Sequence, residues 1–205
     1  RSVTLQPFPA LLESVLINTT FTTSVLVASQ IEETTYAFGA TMAVSRQCMQ
    51  AIGGFAALAN YLADDYYLGN FATQAGYQVH IVPYVVDTHS DATSLSGLLS
   101  HQLRWARTQR LCRPAGYLGT VVTYGTVWAM LGLCPVWTTP FLAVFSCLTL
   151  AIRLISSLLI GKYFLGVTLP IARCGLVLLT DVISFCIWCV SLGGNTVRWR
   201  ENTFC

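Results

Sequence analysis

Two adjacent carboxylates stand in a largely apolar stretch of this 205-residue chain. Asp64 and Asp65 follow a Gly-Gly-Phe turn at 53–55 and lie within residues 58–75, which have helical spacing. Burying neighbouring acids is costly, and one use that justifies the cost is a carboxylate that accepts a proton during a reaction. The alternative is helix capping, in which both acids accept backbone N–H groups of the first turn.

A second group of polar residues follows further along the chain. His101, Arg104, Trp105 and Thr108 are spaced by three, four and seven residues, which places them on one face of a helix. A guanidinium beside an imidazole and an indole can hold a diphosphate by charge-assisted hydrogen bonds, with the flat indole as a wall for a sugar. The alternative is a membrane-interface helix, where Trp and Arg are common.

Local patterns predict the elements that carry these groups. Small and β-branched residues predict strands at 35–44 and 77–86, and the segment 45–52 is predicted to be a helix that stops at the two glycines. Thr93 or Ser94 would cap an amphipathic helix that ends near Arg110. Strand, helix, helix and strand in this order predict the second half of a mixed α/β domain.

Charge and hydropathy divide the chain into unlike halves. Residues 1–100 contain two basic against seven acidic residues, whereas residues 101–205 contain nine against two. Three apolar runs in the second half, at 117–133, 136–160 and 166–192, are long enough for membrane spans. Since the arginines border these runs, the basic half indicates a membrane and not a nucleic-acid partner.

Charges inside and beside these runs leave the topology open. Arg153 and Asp181 could pair at membrane depth, although Arg153 as a residue that snorkels to the interface is the interpretation we favour. Arginines between 104 and 113 and those at 198 and 200 both favour the cytoplasm. Three full crossings cannot satisfy both, so one run would be re-entrant or the second would hold two short segments.

The order of the motifs resembles the ceramide glucosyltransferase family, a group of family-two-type inverting glycosyltransferases with bacterial hopanoid-pathway relatives. The shared pattern is Gly-Gly-Phe, an acidic pair followed by Tyr, and x-x-x-Arg-Trp on a helix before membrane spans. Asp65 matches the family's general base. Arg104 and Trp105 match its Gln/Arg-x-x-Arg-Trp motif, in which His101 takes the first position here, so that His101 or the neighbouring Gln102 would fill that role. The tail 194–200 is also similar to the family's C-terminal end.

The resemblance implies a single in-line displacement on a UDP-sugar, with Asp65 as the catalytic base. Five residues would bind the donor phosphates or the acceptor: Asp64, His101, Gln102, Arg104 and Trp105. His89, in a loop after a predicted strand, is a further candidate that could line the site or assist a metal. A divalent Mg or Mn ion is expected, with its Asp-x-Asp ligands upstream of this chain and no metal site within it.

The expected acceptor is the hydroxyl of a membrane lipid such as ceramide, and the expected sugar is a hexose, with glucose favoured. The resemblance further implies an integral, multi-pass protein with its catalytic side in the cytoplasm, in a bacterial inner membrane or a Golgi-type membrane. Alternatives are transfer of N-acetylglucosamine or another sugar to a hopanoid-type lipid, a polysaccharide synthase, and a membrane anchor subunit without activity.

The predicted organisation has three parts. Residues 1–93 would be the C-terminal half of a catalytic α/β domain of the GT-A-like nucleotide-sugar transferase type. Residues 94–115 would form an interfacial helix, and residues 116–205 would form transmembrane helices with a short basic tail. Because the resemblance covers only the family's C-terminal portion, we expect these 205 residues to be inactive alone.

Overall fold

Helices account for most of the described residues. The computed structural model describes residues 1–3, 6–39, 41–134, 139–168, 170–194, 196–199 and 202–204, the side chains of 197–199 and 202–204 excepted. The chain divides into two units, one of residues 1–24 and 87–197 and the other of residues 25–86 and 198–205. Asn195 and Arg200 of the family-like tail, and the start of the predicted run 136–160, lie outside the described residues.

The α-helices, in chain order, are α1 (Phe8–Val15), α2 (Thr22–Ile31), α3 (Arg46–Ala51), α4 (Asp64–Gln74), α5 (Leu95–Cys112), α6 (Pro114–Gly119), α7 (Gly125–Gly132), α8 (Pro140–Tyr163) and α9 (Cys174–Ser191). A π-helical turn, Leu16–Phe21, joins α1 to α2, and 3-10 turns cover Phe55–Leu58, Thr120–Thr123 and Ile171–Arg173. Two short strands, β1 (Val197–Trp199) and β2 (Asn202–Phe204), pair with each other.

The prediction of an α/β domain is wrong. Neither 35–44 nor 77–86 forms a strand in its described residues, and the only sheet in the described chain is the pair β1 and β2. The segment before residue 40 packs on α4 instead. The Ala37 nitrogen approaches Gly69 so closely that a Cβ on Gly69 would lie 2.5 Å from it. In the other segment Pro83 lacks an N–H group, and the Tyr84 N–H donates to Val82 O at 2.8 Å in a tight turn.

The helix starts at α3 and α5 agree with the sequence. Ser45 precedes α3 and its hydroxyl accepts the Cys48 N–H at 3.1 Å, as expected of an N-cap serine. Ser94 caps α5 in the same way through the Gly97 N–H. The α5 helix then continues to Cys112, slightly beyond the predicted end near Arg110.

Among the described residues, three helical segments are long and apolar enough to cross a membrane: Phe8–Ile31, Pro140–Tyr163 and Ile171–Ser191. The last two correspond to the second and third predicted runs. The first predicted run, 117–133, is divided among α6, a 3-10 turn and α7. Because α7 has eight residues and each adds about 1.5 Å, it is too short to cross a hydrocarbon layer of roughly 30 Å.

Arg153 and Asp181 form an ion pair that joins α8 to α9. The Arg153 Nη2 atom lies 2.6 Å from Asp181 Oδ1 and its Nε lies 2.8 Å from Oδ2, while Nη1 donates to Ser157 Oγ at 2.8 Å. The Thr126 hydroxyl of α7 donates to the same carboxylate at 2.5 Å. Both charged side chains are largely buried, so the interpretation of Arg153 as a snorkelling residue is wrong.

Candidate functional site

Asp64 and Asp65 occupy the first turn of α4. The residue before the helix, Ala63, has no side chain that can cap it, and the two acids provide acceptors instead. Asp64 Oδ1 accepts the Asp65 N–H at 3.0 Å, and Asp65 Oδ1 accepts the Tyr66 N–H at 2.8 Å. One oxygen of each acid therefore serves the helix start, as the capping interpretation requires.

The second oxygen of Asp65 lies against the segment that precedes residue 40. A Cβ placed on Gly39 would lie 2.5 Å from Asp65 Oδ2, so a side chain at this position would displace the carboxylate. Partial burial raises the pKa of Asp65 above its ordinary value, the hydrogen bond from Tyr66 opposes the rise, and the neighbouring Asp64 charge adds to it. A carboxylate with a raised pKa is a stronger proton acceptor, which suits Asp65 to the role of a base. The neighbouring Asp64 side chain is exposed to solvent.

Tyrosine rings surround the start of α4. The Tyr36 and Tyr66 ring centroids lie 5.6 Å apart, and those of Tyr61 and Tyr67 lie 4.0 Å apart. The sequence pattern indicated the acidic pair but not these ring contacts. These rings pack on the first turn of α4, and the segment at Gly39 approaches the Asp65 carboxylate itself.

The α5 helix carries the second predicted group of residues. The rings of His101 and Trp105 are 4.4 Å apart and both line one pocket, as their spacing of one helical turn predicts. Arg104 is half-buried and is not among the residues that line this pocket. Burial lowers the pKa of the Arg104 guanidinium from its ordinary value, but an arginine remains charged in proteins.

Glu13 of α1 is a site residue that the sequence interpretation missed. It is only 4% exposed, and its Oε1 atom lies 2.8 Å from His101 Nδ1 and 3.5 Å from Gln102 Nε2. The Ser90 hydroxyl donates to Oε2 in a short hydrogen bond. An acid inside a long apolar segment is a signal that could have revealed Glu13, because such residues are costly and usually functional.

The chain start holds the loop that carries Ser90 and His89. The Thr88 N–H donates to Arg1 O at 2.9 Å, the Val3 N–H donates to Thr88 O at 3.2 Å, and Arg1 Nε lies 2.6 Å from Asp87 Oδ1. These contacts hold Asp87 and Thr88 against the chain start, and the hydrogen bond from Ser90 to Glu13 joins the loop to α1. The loop, the helical segment that begins with α1, and α5 line an open cavity of about 430 Å³. Its thirteen lining residues are Glu13, Ile17, Thr88, His89, Ser90, Asp91, Ala92, Thr93, Ser94, Gly97, Leu98, His101 and Trp105.

The last two arginines of α5 bind the end of α9. Arg107 donates to the carbonyl oxygens of Gly193 and Thr196, each at 3.0 Å. Arg110 donates to those of Leu192 at 3.2 Å and Gly194 at 2.7 Å. These carbonyl groups directly follow the last helical residue, Ser191, where the negative end of the helix dipole attracts positive charge.

The predicted site residues divide between the two units. Asp64 and Asp65 belong to the unit of residues 25–86, whereas His89, His101 and Arg104 belong to the unit of residues 87–197, as do Gln102 and Trp105. The structure thus brings His89, His101 and Trp105 to one pocket. Within the described part of the chain, no three His, Cys, Asp or Glu side chains converge as they would around a metal ion.

Comparison with models of protein families gives a match over the whole chain. The model of glycosyl transferase family 21, the ceramide glucosyltransferase family, matches residues 1–205. No curated protein and no solved structure matches the chain. That these residues are only the C-terminal portion of a longer enzyme stays a prediction.

Proposed function

The chain belongs to glycosyl transferase family 21, and from this membership we propose that it transfers a hexose, glucose in the first instance, from a UDP-sugar to the hydroxyl of a ceramide-like membrane lipid. The observation that carries the proposal is the half-buried Asp65 carboxylate, whose pKa is raised at the start of α4. A carboxylate in this state suits general base catalysis better than a solvated one.

The proposed reaction is one in-line displacement with inversion. Asp65 removes the proton of the lipid hydroxyl as its oxygen attacks the anomeric carbon of the sugar. The bond from that carbon to the UDP oxygen breaks, and UDP leaves with the electron pair. Arg104 stabilises the charge that grows on the leaving diphosphate, since guanidinium groups bind phosphate oxygens in a bidentate manner. Asp64, beside the base, would help to orient the substrates.

We also propose that the reaction uses a divalent Mg or Mn ion, as the family resemblance implies. The described side chains do not form a metal-binding cluster, and the roles given to Asp65 and Arg104 do not depend on one. A bound Mg or Mn ion would neutralise charge on the diphosphate.

We propose a multi-pass membrane protein with its catalytic residues on the cytoplasmic side, and the three candidate spans support a membrane location. The broken run 117–133 would enter the bilayer without crossing it, so α8 and α9 would be the crossings that follow α5. Two crossings return the chain to its starting side, and the bonds of Arg107 and Arg110 to carbonyls beyond α9 fit this arrangement. All the basic flanks then face the cytoplasm.

The same membrane topology supports the proposed division of the chain after residue 93 into an interfacial helix and a membrane-embedded region. Residues 94–115 would lie along the membrane surface, and residues 116–205 would contain the membrane-embedded helices. Among the described residues, no candidate span separates Asp65 from Arg104 along the chain. The chain therefore need not cross the bilayer between its base and its phosphate-binding arginine.

The direct test is product analysis with the full protein in lipid nanodiscs. With UDP-glucose, whose sugar is α-linked, and ceramide, we expect a β-linked glucosyl lipid that NMR can identify. Retention of the α configuration would contradict the displacement, and transfer to a growing glucan would identify a polysaccharide synthase. No glycosylated lipid from any of several UDP-sugars would contradict the proposed function.

Replacing Arg104 with lysine is expected to lower kcat/KM for the UDP-sugar about tenfold, because a lysine cannot make the paired hydrogen bonds of a guanidinium. Initial rates at varied donor and saturating lipid provide the measurement. Arg46→Lys, the same change at an exposed arginine on α3, is the matched control and should have wild-type rates. Equal rates for both variants would remove Arg104 from the proposed role.

Replacing Gly39 with alanine is expected to slow transfer at least tenfold, because the new Cβ would displace Asp65 Oδ2. Gly76→Ala is the matched control: its φ of +85° is close to the +78° of Gly39, but a Cβ there meets nothing within 4 Å. Both variants should lose about 1–2 kcal/mol of stability from the left-handed backbone conformation. Only Gly39→Ala should also lose activity, and equal losses of activity would contradict the packing argument.

A further inference from the structure

The pocket between α1, α5 and the 87–91 loop has a buried carboxylate that no assigned role uses. Glu13 is 4% exposed and bonds to His101, Gln102 and Ser90. A buried acid is stable only with such partners, so these contacts hold Glu13 and His101 in fixed positions. The His101 ring, whose side chain is 36% exposed, remains accessible from the cavity.

The charges of this pocket do not favour a diphosphate as its ligand. Its described lining contains two acids, Glu13 and Asp91, and two histidines, His89 and His101, but no lysine or arginine. Phosphate sites need cationic or N–H donors that outweigh nearby acids, and Glu13 would repel an anion beside His101. Hydroxyl groups on Thr88 and Ser90, with the two imidazoles, instead suit an uncharged ligand that bears hydroxyl or amide groups.

Apolar groups of the same pocket point to a lipid. Ile17 belongs to the candidate membrane span Phe8–Ile31, while Leu98 and Trp105 lie on the amphipathic helix α5. An indole beside polar groups is typical of the membrane interface, where one side of the ring is apolar and the other is wet. A ligand whose head lies in the pocket can therefore keep its tail beside α1.

We propose that this pocket binds the hydroxyl- and amide-bearing headgroup of the acceptor lipid, with Glu13 as a positioning residue for His101. If the His101 Nδ1–H donates to Glu13, Nε2 is left as an acceptor for a lipid hydroxyl. This inference rests on the proposed transferase function, and it assigns His101 and Trp105 to the acceptor and leaves the diphosphate to Arg104.

Kinetics of the full protein in nanodiscs test the assignment. Glu13→Gln and His101→Ala are each expected to raise KM for ceramide about tenfold, as the loss of one hydrogen bond to the headgroup would, and to leave KM for the UDP-sugar unchanged. Gln109→Ala, an exposed change on the same helix, should alter neither constant. A rise in the donor KM with an unchanged acceptor KM would overturn the proposal.

A binding measurement without UDP-sugar separates this proposal from the function itself. Ceramide with a photoreactive diazirine in its acyl chain is expected to label the wild-type protein, and labelling should fall about tenfold in His101→Ala. Methylation of the ceramide secondary hydroxyl, which is not the hydroxyl that Asp65 deprotonates, should reduce labelling of the wild type but not of the variant. Labelling that depends on His101 without any sugar transfer would overturn the function and keep the pocket. Transfer with labelling independent of His101 would overturn the pocket alone.

Discussion

Replacing Asp65 with asparagine is expected to lower the rate of sugar transfer by roughly 10²- to 10⁴-fold, the usual contribution of a general base. Asparagine keeps a side-chain oxygen that can accept the Tyr66 N–H, so the start of α4 should remain intact. The variant thus separates proton abstraction from helix capping. Single-turnover rates with saturating UDP-sugar and lipid provide the measurement.

Asp64→Asn is the matched control, since the exposed Asp64 also accepts one backbone N–H of the same turn. We expect its transfer rate to fall tenfold at most, because Asp64 is proposed only to orient the substrates and the loss of about one hydrogen bond changes a rate modestly. Equal losses in both variants would indicate a shared structural role, and near-normal turnover of Asp65→Asn would remove it as the base.

The pH dependence of the wild-type enzyme gives a second check on Asp65. A base must be deprotonated to act, so the rate should fall as pH drops through the pKa of this carboxyl. Burial raises that pKa, and the acidic limb should therefore lie at higher pH than an ordinary aspartate would give. This limb should be absent from the residual activity of Asp65→Asn.

Replacing Asp181 with leucine is expected to destabilise the protein by about 3–5 kcal/mol, because Arg153 would then be a buried charge without its carboxylate. The double variant Arg153→Met with Asp181→Leu should recover most of this loss, since two apolar side chains replace the pair. Denaturant unfolding in detergent micelles provides the measurement for each variant of the cycle.

The exposed pair of Arg1 and Asp87 is the control for this cycle. Asp87→Asn removes an ion pair of 2.6 Å whose acid side chain is 52% exposed, and its stability should be close to wild type. A comparable loss from Asp87→Asn, or a double variant no more stable than Asp181→Leu, would show that burial of the α8–α9 pair is not the cause.

Local signals predicted helices well and the sheet badly. Ser45 and Ser94 mark helix starts because a serine hydroxyl satisfies an N–H group within three residues, a contact the sequence alone contains. A strand depends on another backbone segment, which residues 35–44 and 77–86 do not find in the described chain. The first of these segments packs against Gly69 of α4 instead. The spacing of residues within the segment does not predict this contact.

The candidate site was predictable where its residues share one helix. His101 and Trp105 meet because they are one turn apart on α5, and Asp65 lies in the first turn of α4 as expected. Glu13 is 88 residues before His101, so only the packing of α1 on α5 reveals their contact. Arg153 and Asp181 are separated by 28 residues, and their pairing likewise depends on how α8 meets α9.

The bonds from Arg107 and Arg110 to the end of α9 have an evolutionary consequence. All four acceptors are main-chain carbonyls, which every amino acid provides, so the arginines do not depend on the side chains at positions 192, 193 and 196. Gly194 is different only because its φ of +82° favours glycine. Substitutions in this tail could accumulate while the contact persists, and covariation between α5 and the tail would not reveal it.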